Sequence, residues 1–417
     1  MGLFLGIDLG TTTLSVVVLD VAAGCLLHAS TTPHGADCTT ADDRARGRAE
    51  VDIQRMQALT LRLVREAIEA VAARRDELRA VGVTGQQHGV ALLDANGRPV
   101  GPAITWQDRR VLDLVPGTSE TWLERVIRLA GGESAFERMG CVPSRGYLGA
   151  TLYWLQQQGR IPQGADVACF VPDTAVTLLT GARARCDPTN GGSSGLLDVV
   201  NCQWDWGMIK RLGLPTRLLP AVQLPGTVVG ELRGDLLGEL GLDAPLPVCV
   251  AIGDNQAAAF GALRDPEASL SLNVGTGAQI SAVLDAYRYV PSLQTRYFPG
   301  GRYLMVGAGL FGGRSYAYLR ELFRQVGEGL LGVTAGGDLY DRMNVLASAV
   351  PSGCDGLRCS PLFTGSLLEP ELRASFTGLT PQNLTPGHLT RALLEGMAEV
   401  FYEYYKMMLP FTGARRQ

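Results

Sequence analysis

Two mostly apolar runs, Leu3–Leu9 and Leu14–Asp20, stand on either side of Gly10-Thr11-Thr12-Thr13. Such β-rich runs around a Gly-Thr turn predict two strands joined as a hairpin. Asp52 then precedes Ile53, Met56, Leu59, Leu63, Ala67, Ile68 and Val71, which fall on one face of a helix, with arginines and glutamates on the other. A strand is expected over Ala80–Thr84, followed by a hairpin-like stretch, Val90–Val100, turning at Asn96-Gly97. Farther on, a buried strand near Val248–Ile252 leads into Gly253-Asp254, and Ser269–Leu284 reads as strand, Gly-Thr-Gly turn, strand. The last clear element is a helix from about His388 to Leu409, stopped by Pro410. A chain of 417 residues is too long for one ordinary core. The expected organisation is an N-terminal domain over 1–245 and a C-terminal domain over 246–417.

The two Gly-Thr turns echo each other. Placing Leu9-Gly10-Thr11-Thr12 over Val274-Gly275-Thr276-Gly277 superposes Ser15–Leu19 on Ile280–Leu284, and Asp20 on Asp285. This suggests a duplicated hairpin, one copy per domain. A glycine-rich tip lets backbone N–H groups approach an anion closely, and threonine hydroxyls add further donors. Asp8, just before the first tip, suits a Mg²⁺ ion or its water shell. Two such tips could grip a nucleotide triphosphate between them; a lone one is equally a plain β-hairpin.

Composition narrows the partners. The chain is 46% hydrophobic and 19% charged, with a formal net charge of −4 and no long run of like charge. That describes a globular protein and does not suggest a nucleic-acid partner. Nine cysteines without CxxC spacing read as reduced thiols. Asp8 interrupts the apolar N-terminus, which has no basic segment ahead of it and so does not read as a leader. A cytoplasmic protein without membrane contact, monomeric or homodimeric, is expected.

Gly6-Ile7-Asp8-Leu9-Gly10-Thr11-Thr12-Thr13 resembles the first phosphate motif of the actin, Hsp70 and sugar-kinase superfamily. Three further stretches resemble the FGGY carbohydrate kinases in particular. The first is Thr84-Gly85-Gln86-Gln87-His88-Gly89 with Thr105-Trp106-Gln107-Asp108-Arg109-Arg110, which line the sugar site in that family. The second is Gly253-Asp254-Asn255-Gln256, similar to the family's catalytic segment; a helix N-cap is the other reading of Asp254. The third, Ala374–Glu395, keeps nearly the spacing of the family's C-terminal signature. Gly312-Gly313 resembles a second glycine-rich nucleotide contact, or else is a glycine pair for close helix–strand packing. Thr151 departs from the family, which usually carries Lys there. Gln87-His88 stands where glycerol kinases have Arg-Glu, and Gln-x-His-Gly looks instead like the xylulose and sedoheptulose kinases.

The resemblance implies an α/β fold of two actin-like, ribonuclease H-like ATPase domains with an interdomain cleft, and a kinase using ATP and Mg²⁺ on a ketose. Sedoheptulose, with its 7-phosphate as product, is the first expectation; xylulose or ribulose is the alternative. In that reading Asp254 is the base. Gln87, His88, Trp106, Asp108 and Asn255 hold the sugar. Thr12, Thr13, Gly275, Thr276, Gly277 and Gly313 hold the nucleotide, and Asp8 the metal. Family members usually continue past the final helix into a glycine-rich adenosine-binding segment. A chain ending at Gln417 is therefore expected to bind sugar better than ATP and to turn over slowly, or to be a sugar-binding form without catalysis.

Overall fold

The computed structural model describes residues 2–275, 277–334, 336–363 and 372–413. The chain divides into two compact units. The first comprises Met1–Ala262 with Asp285–Tyr289 and Thr295–Tyr303, and the second comprises Leu263–Leu284, Val290–Gln294 and Leu304–Gln417.

The first unit is built on a seven-stranded sheet. Strands β1 (Leu3–Leu9), β2 (Thr13–Asp20) and β3 (Cys25–Pro33) form an antiparallel meander, the first two where the β-rich runs predict them. Strand β4 (Leu78–Gly85) runs parallel to β1. On its other side β4 pairs with β6 (Pro247–Cys249), which β5 (Val228–Glu231) borders, and with the short β7 (Ile252–Gly253). Residues 246–262, expected at the start of the second half, therefore belong to the first unit: Val248, Ile252 and Gly253 are partners of β4.

Leu3, Leu5, Ile7 and Leu9 of β1 and Leu14, Val16 and Val18 of β2 enter one core. Helix α1 (Ile53–Ala70) joins it through Ile53, Met56, Leu63, Val64, Ala67 and Ile68. Asp52 caps α1 as expected, its carboxylate accepting the Arg55 N–H. Burial of each of these larger side chains stabilises the unit by about 1.5–3 kcal/mol.

In the second unit β8 (Ser271–Val274) and β9 (Gly277–Leu284) form the expected second hairpin. Helices α2 (Gly313–Gln325), α3 (Leu339–Ser348) and α4 (Pro386–Thr412) surround a core that includes Leu319, Met343, Leu393 and Met397. Two sequence readings change here. Helix α4 is not stopped by Pro410 but runs through it to Thr412, starting from a Thr385 cap that accepts the His388 N–H. Pro410 lies in the last turn, where its missing N–H leaves only one carbonyl of the ladder unpaired.

The hairpin echo also needs a gap. Leu9 pairs with Leu14 across four residues, whereas Val274 pairs with Ala278 across three. Ungapped superposition thus matches the buried Ala278, Ile280 and Ala282 to Thr13, Ser15 and Val17, which lie on the other face of β2. The copies share topology, one residue out of register.

Candidate active site

The parallel strands β1, β4 and β7 end together, because Asp8 and Ile252 both pair with Thr84. The chain leaves β4 into Gln86-Gln87-His88 and leaves β7 into Asp254, so these residues gather beyond the carboxyl ends of neighbouring strands. Asp254 opens the helix Asp254–Ala262 and accepts the N–H of Asn255 at 2.8 Å. Burial raises its pKa to about 6; the neighbouring Asp8 carboxylate pushes the same way, while Asn255 N–H, Arg296 and Gln87 N–H oppose it. Asp8 is raised by burial as well, and its Oδ1 is buried with no hydrogen-bond partner. Two nearby carboxylates, one with an unused buried oxygen, form a place where a hard cation fits.

Gln87 is buried and has little left to offer a ligand. Its Nε2 donates to the Thr189 carbonyl at 2.8 Å, and its Oε1 accepts from Arg296 Nη1 at 2.6 Å. Gly253 allows this: a Cβ there would lie 2.2 Å from Gln87 Nε2. The Gly253 N–H donates to Thr189 Oγ1 at 2.7 Å, so Thr189 joins the β4 and β7 ends. Thr189 is itself held by the buried Asp187, which accepts its N–H and hydroxyl together with the N–H of Asn190.

His88 has a positive φ of 64°, uncommon outside glycine. Its ring stacks on Tyr147 with centroids 4.4 Å apart, and Nδ1 lies 3.3 Å from the Ser193 carbonyl. Burial, aided by the Arg296 charge, lowers the imidazole pKa to about 3, so the ring is neutral. A carbonyl can only accept, which places the proton on Nδ1 and leaves Nε2 as an acceptor. Asp108, expected to touch sugar, is 1% exposed and has all four acceptor directions filled. The Ala49 N–H and the N–H, Nε and Nη2 of Arg110 occupy them, each at 2.8 Å. It braces the loop rather than facing a cavity. Asn255 is buried next to Asp254.

At the first tip Thr12 is exposed and Thr13 half-buried. Trp106 connects to this tip, its indole Nε1–H donating to Thr11 Oγ1 at 3.0 Å. Gly275, Gly277 and Gly313 lie in the second unit and pack together there. The Gly313 N–H donates to the Gly275 carbonyl at 2.8 Å, and a Cβ on Gly312 would lie 2.6 Å from that oxygen. Close packing accounts for Gly312. Thr276 lies outside the described residues.

His34, Thr189, Asp187 and Arg296 were missed from sequence. Asp187-Pro188-Thr189-Asn190 carried a usable signal, an acidic cap followed by Pro at the first helical position. Nothing around Arg296 or His34 distinguishes them locally.

Residues 3–261 match the N-terminal domain of the FGGY family of carbohydrate kinases. A glycerol kinase of Methylibium petroleiphilum is 28% identical over 371 residues, 84% of this chain and 69% of that protein. The chain spans about two thirds of the length of the curated glycerol kinases it matches. The sedoheptulokinase of Homo sapiens is 28% identical over 434 residues, 95% of this chain and 84% of that protein. The crystal structure of xylulose kinase from Rhodospirillum rubrum shares the fold, with a TM-score of 0.83 at 24% identity, covering 100% of this chain and 80% of that one.

Proposed function

Because this chain belongs to the FGGY family of carbohydrate kinases, we propose that it transfers the γ-phosphoryl group of ATP to a hydroxyl of a ketose, with sedoheptulose as the preferred acceptor. The observation that carries this reading is Asp254: a carboxylate at a strand end, beside Asp8, with a pKa of about 6. At neutral pH it is mostly ionised yet basic enough to take a proton. As the sugar oxygen bonds to phosphorus and the bond to the β-phosphate oxygen breaks, the hydroxyl proton passes to the Asp254 carboxylate. Such a transition state is loose, so the protein's main task is alignment and charge neutralisation.

His88 Nε2 would accept a second sugar hydroxyl, and Trp106 would offer an indole face. Asn255 and Gln87 would shape the same site, Gln87 by holding Arg296 in place. Asp108 would act on the sugar only through the loop it braces. The exposed Thr12 and the half-buried Thr13 of the first unit would meet phosphates, and Gly275, Thr276, Gly277 and Gly313 of the second unit would do the same. Asp8 fits Mg²⁺ through its unpartnered oxygen; when bound, the ion would neutralise phosphate charge. Among the described residues no group of three or more His, Cys, Asp or Glu could hold a metal. Magnesium's habit of keeping waters and phosphate oxygens as ligands suits one or two carboxylates. All nine cysteines are free thiols, which supports a reducing, cytoplasmic setting. No described helix is long and apolar enough to cross a membrane.

The preference for sedoheptulose rests on Gln87-His88 and on the similarity to sedoheptulokinase across most of both chains. Ranking acceptors by kcat/KM, from ADP release, tests it. Sedoheptulose should lead, D-xylulose and D-ribulose should be weaker, and glycerol negligible. Glycerol as the best acceptor would overturn the assignment.

A further inference from the structure

His34 follows directly on β3 and is 6% exposed. Its backbone N–H donates to the Thr12 carbonyl at 3.1 Å, and its ring Nε2 lies 2.8 Å from the Thr11 carbonyl. Its Nδ1 lies 2.9 Å from the Ala36 amide nitrogen. The partners assign the tautomer. A carbonyl only accepts and an amide N–H only donates, so Nε2 carries the proton and Nδ1 accepts. One residue therefore takes both carbonyls at the apex of the first tip.

In a trans peptide the C=O of one residue and the N–H of the next point in opposite directions, and the described chain has no cis bond. Drawing the Thr11 and Thr12 carbonyls toward His34 turns the N–H groups of Thr12 and Thr13 to the opposite side. Those are the N–H groups that an anion at the tip would use. Trp106 adds a further restraint by holding the Thr11 hydroxyl.

We propose that His34 is a positioning residue for the nucleotide: by holding the Thr11 and Thr12 carbonyls, it pre-orients the first tip's N–H groups toward ATP phosphates. The proposal rests on the kinase reading, and it touches neither sugar nor Asp254. Losing the ring frees one carbonyl and lets the tip sample orientations in which N–H groups are misdirected, which weakens nucleotide binding selectively.

The test is calorimetric titration of the full protein with Mg-ADP and, separately, with sedoheptulose, in the parent, His34→Ala and His34→Gln. His34→Ala should weaken Mg-ADP about tenfold, the scale of one charge-assisted hydrogen bond, and leave sugar affinity within twofold. His34→Gln, whose amide can donate to the Thr11 carbonyl, should recover most of the loss. In His34→Ala, equal loss for both ligands, or ADP affinity within twofold of the parent, would overturn the proposal while leaving the kinase reading intact. If His34→Ala does not fold, His34→Leu, which keeps the bulk and removes the donor, decides: a loss of Mg-ADP affinity alone supports the role, and equal loss of both ligands, or of neither, sinks it. A parent that binds sugar but not Mg-ADP would overturn both readings together.

Discussion

Asp254 is held between opposing influences: burial and the Asp8 charge favour its protonated form, while two backbone N–H groups and Arg296 favour the carboxylate. A base must be ionised to accept a proton, so activity should rise with pH through the Asp254 pKa. We expect kcat/KM for the sugar to fall about tenfold per pH unit below about 6, with a plateau above it. A profile flat down to pH values near an ordinary carboxylate pKa would show that the controlling group lies elsewhere. Residue type was readable at this scale, and residue role less so. Asp8 stood out as a carboxylate within an apolar strand just before the Gly-Thr tip, and Asp254 as one that follows an apolar strand beside Gly253. Asp108 looked as available in sequence as His88. Only the fold reveals that Ala49 and Arg110 fill its acceptor directions, since the first of those donors comes from a separate stretch of chain. Arg296 was invisible, because a single arginine between Thr295 and Tyr297 has no local pattern to mark its burial.

Among the elements, those with strong periodicity were legible. The β1–β2 hairpin appears where the β-rich runs around the Gly-Thr turn put it, and helix α1 where helical spacing and the Asp52 cap put it. Met56 sits on the buried face of α1 and is 0% exposed. Met56→Ala should lower unfolding free energy by about 2–5 kcal/mol through lost burial and a residual cavity, measured by urea denaturation. A loss below about 0.5 kcal/mol would mean that α1 does not pack as described. Register and element ends were less legible. The second hairpin's shorter tip shifts every side chain to the other face, a one-residue difference that pattern matching absorbs. Pro410 was read as a stop because proline breaks helix interiors, but a last-turn proline loses only one ladder bond.

For the whole molecule, motif resemblance indicated the family and the α/β fold, and the family match and fold similarity agree with it. The assignment of residues 246–262 to the first unit was not legible, because it depends on β6 and β7 pairing with a strand far earlier in the chain. That pairing brings Asp254 beside Asp8 and Gln87, and so the proposed chemistry depends on it. The most direct measurement is the rate of ADP formation from Mg-ATP with and without sedoheptulose, in the parent and in Asp254→Asn, well above the Asp254 pKa. The account predicts sugar-dependent ADP formation in the parent, reduced about 10²-fold or more in Asp254→Asn, with sugar affinity within a few-fold of the parent. ADP formation indifferent to sugar, or undiminished in Asp254→Asn, would contradict it.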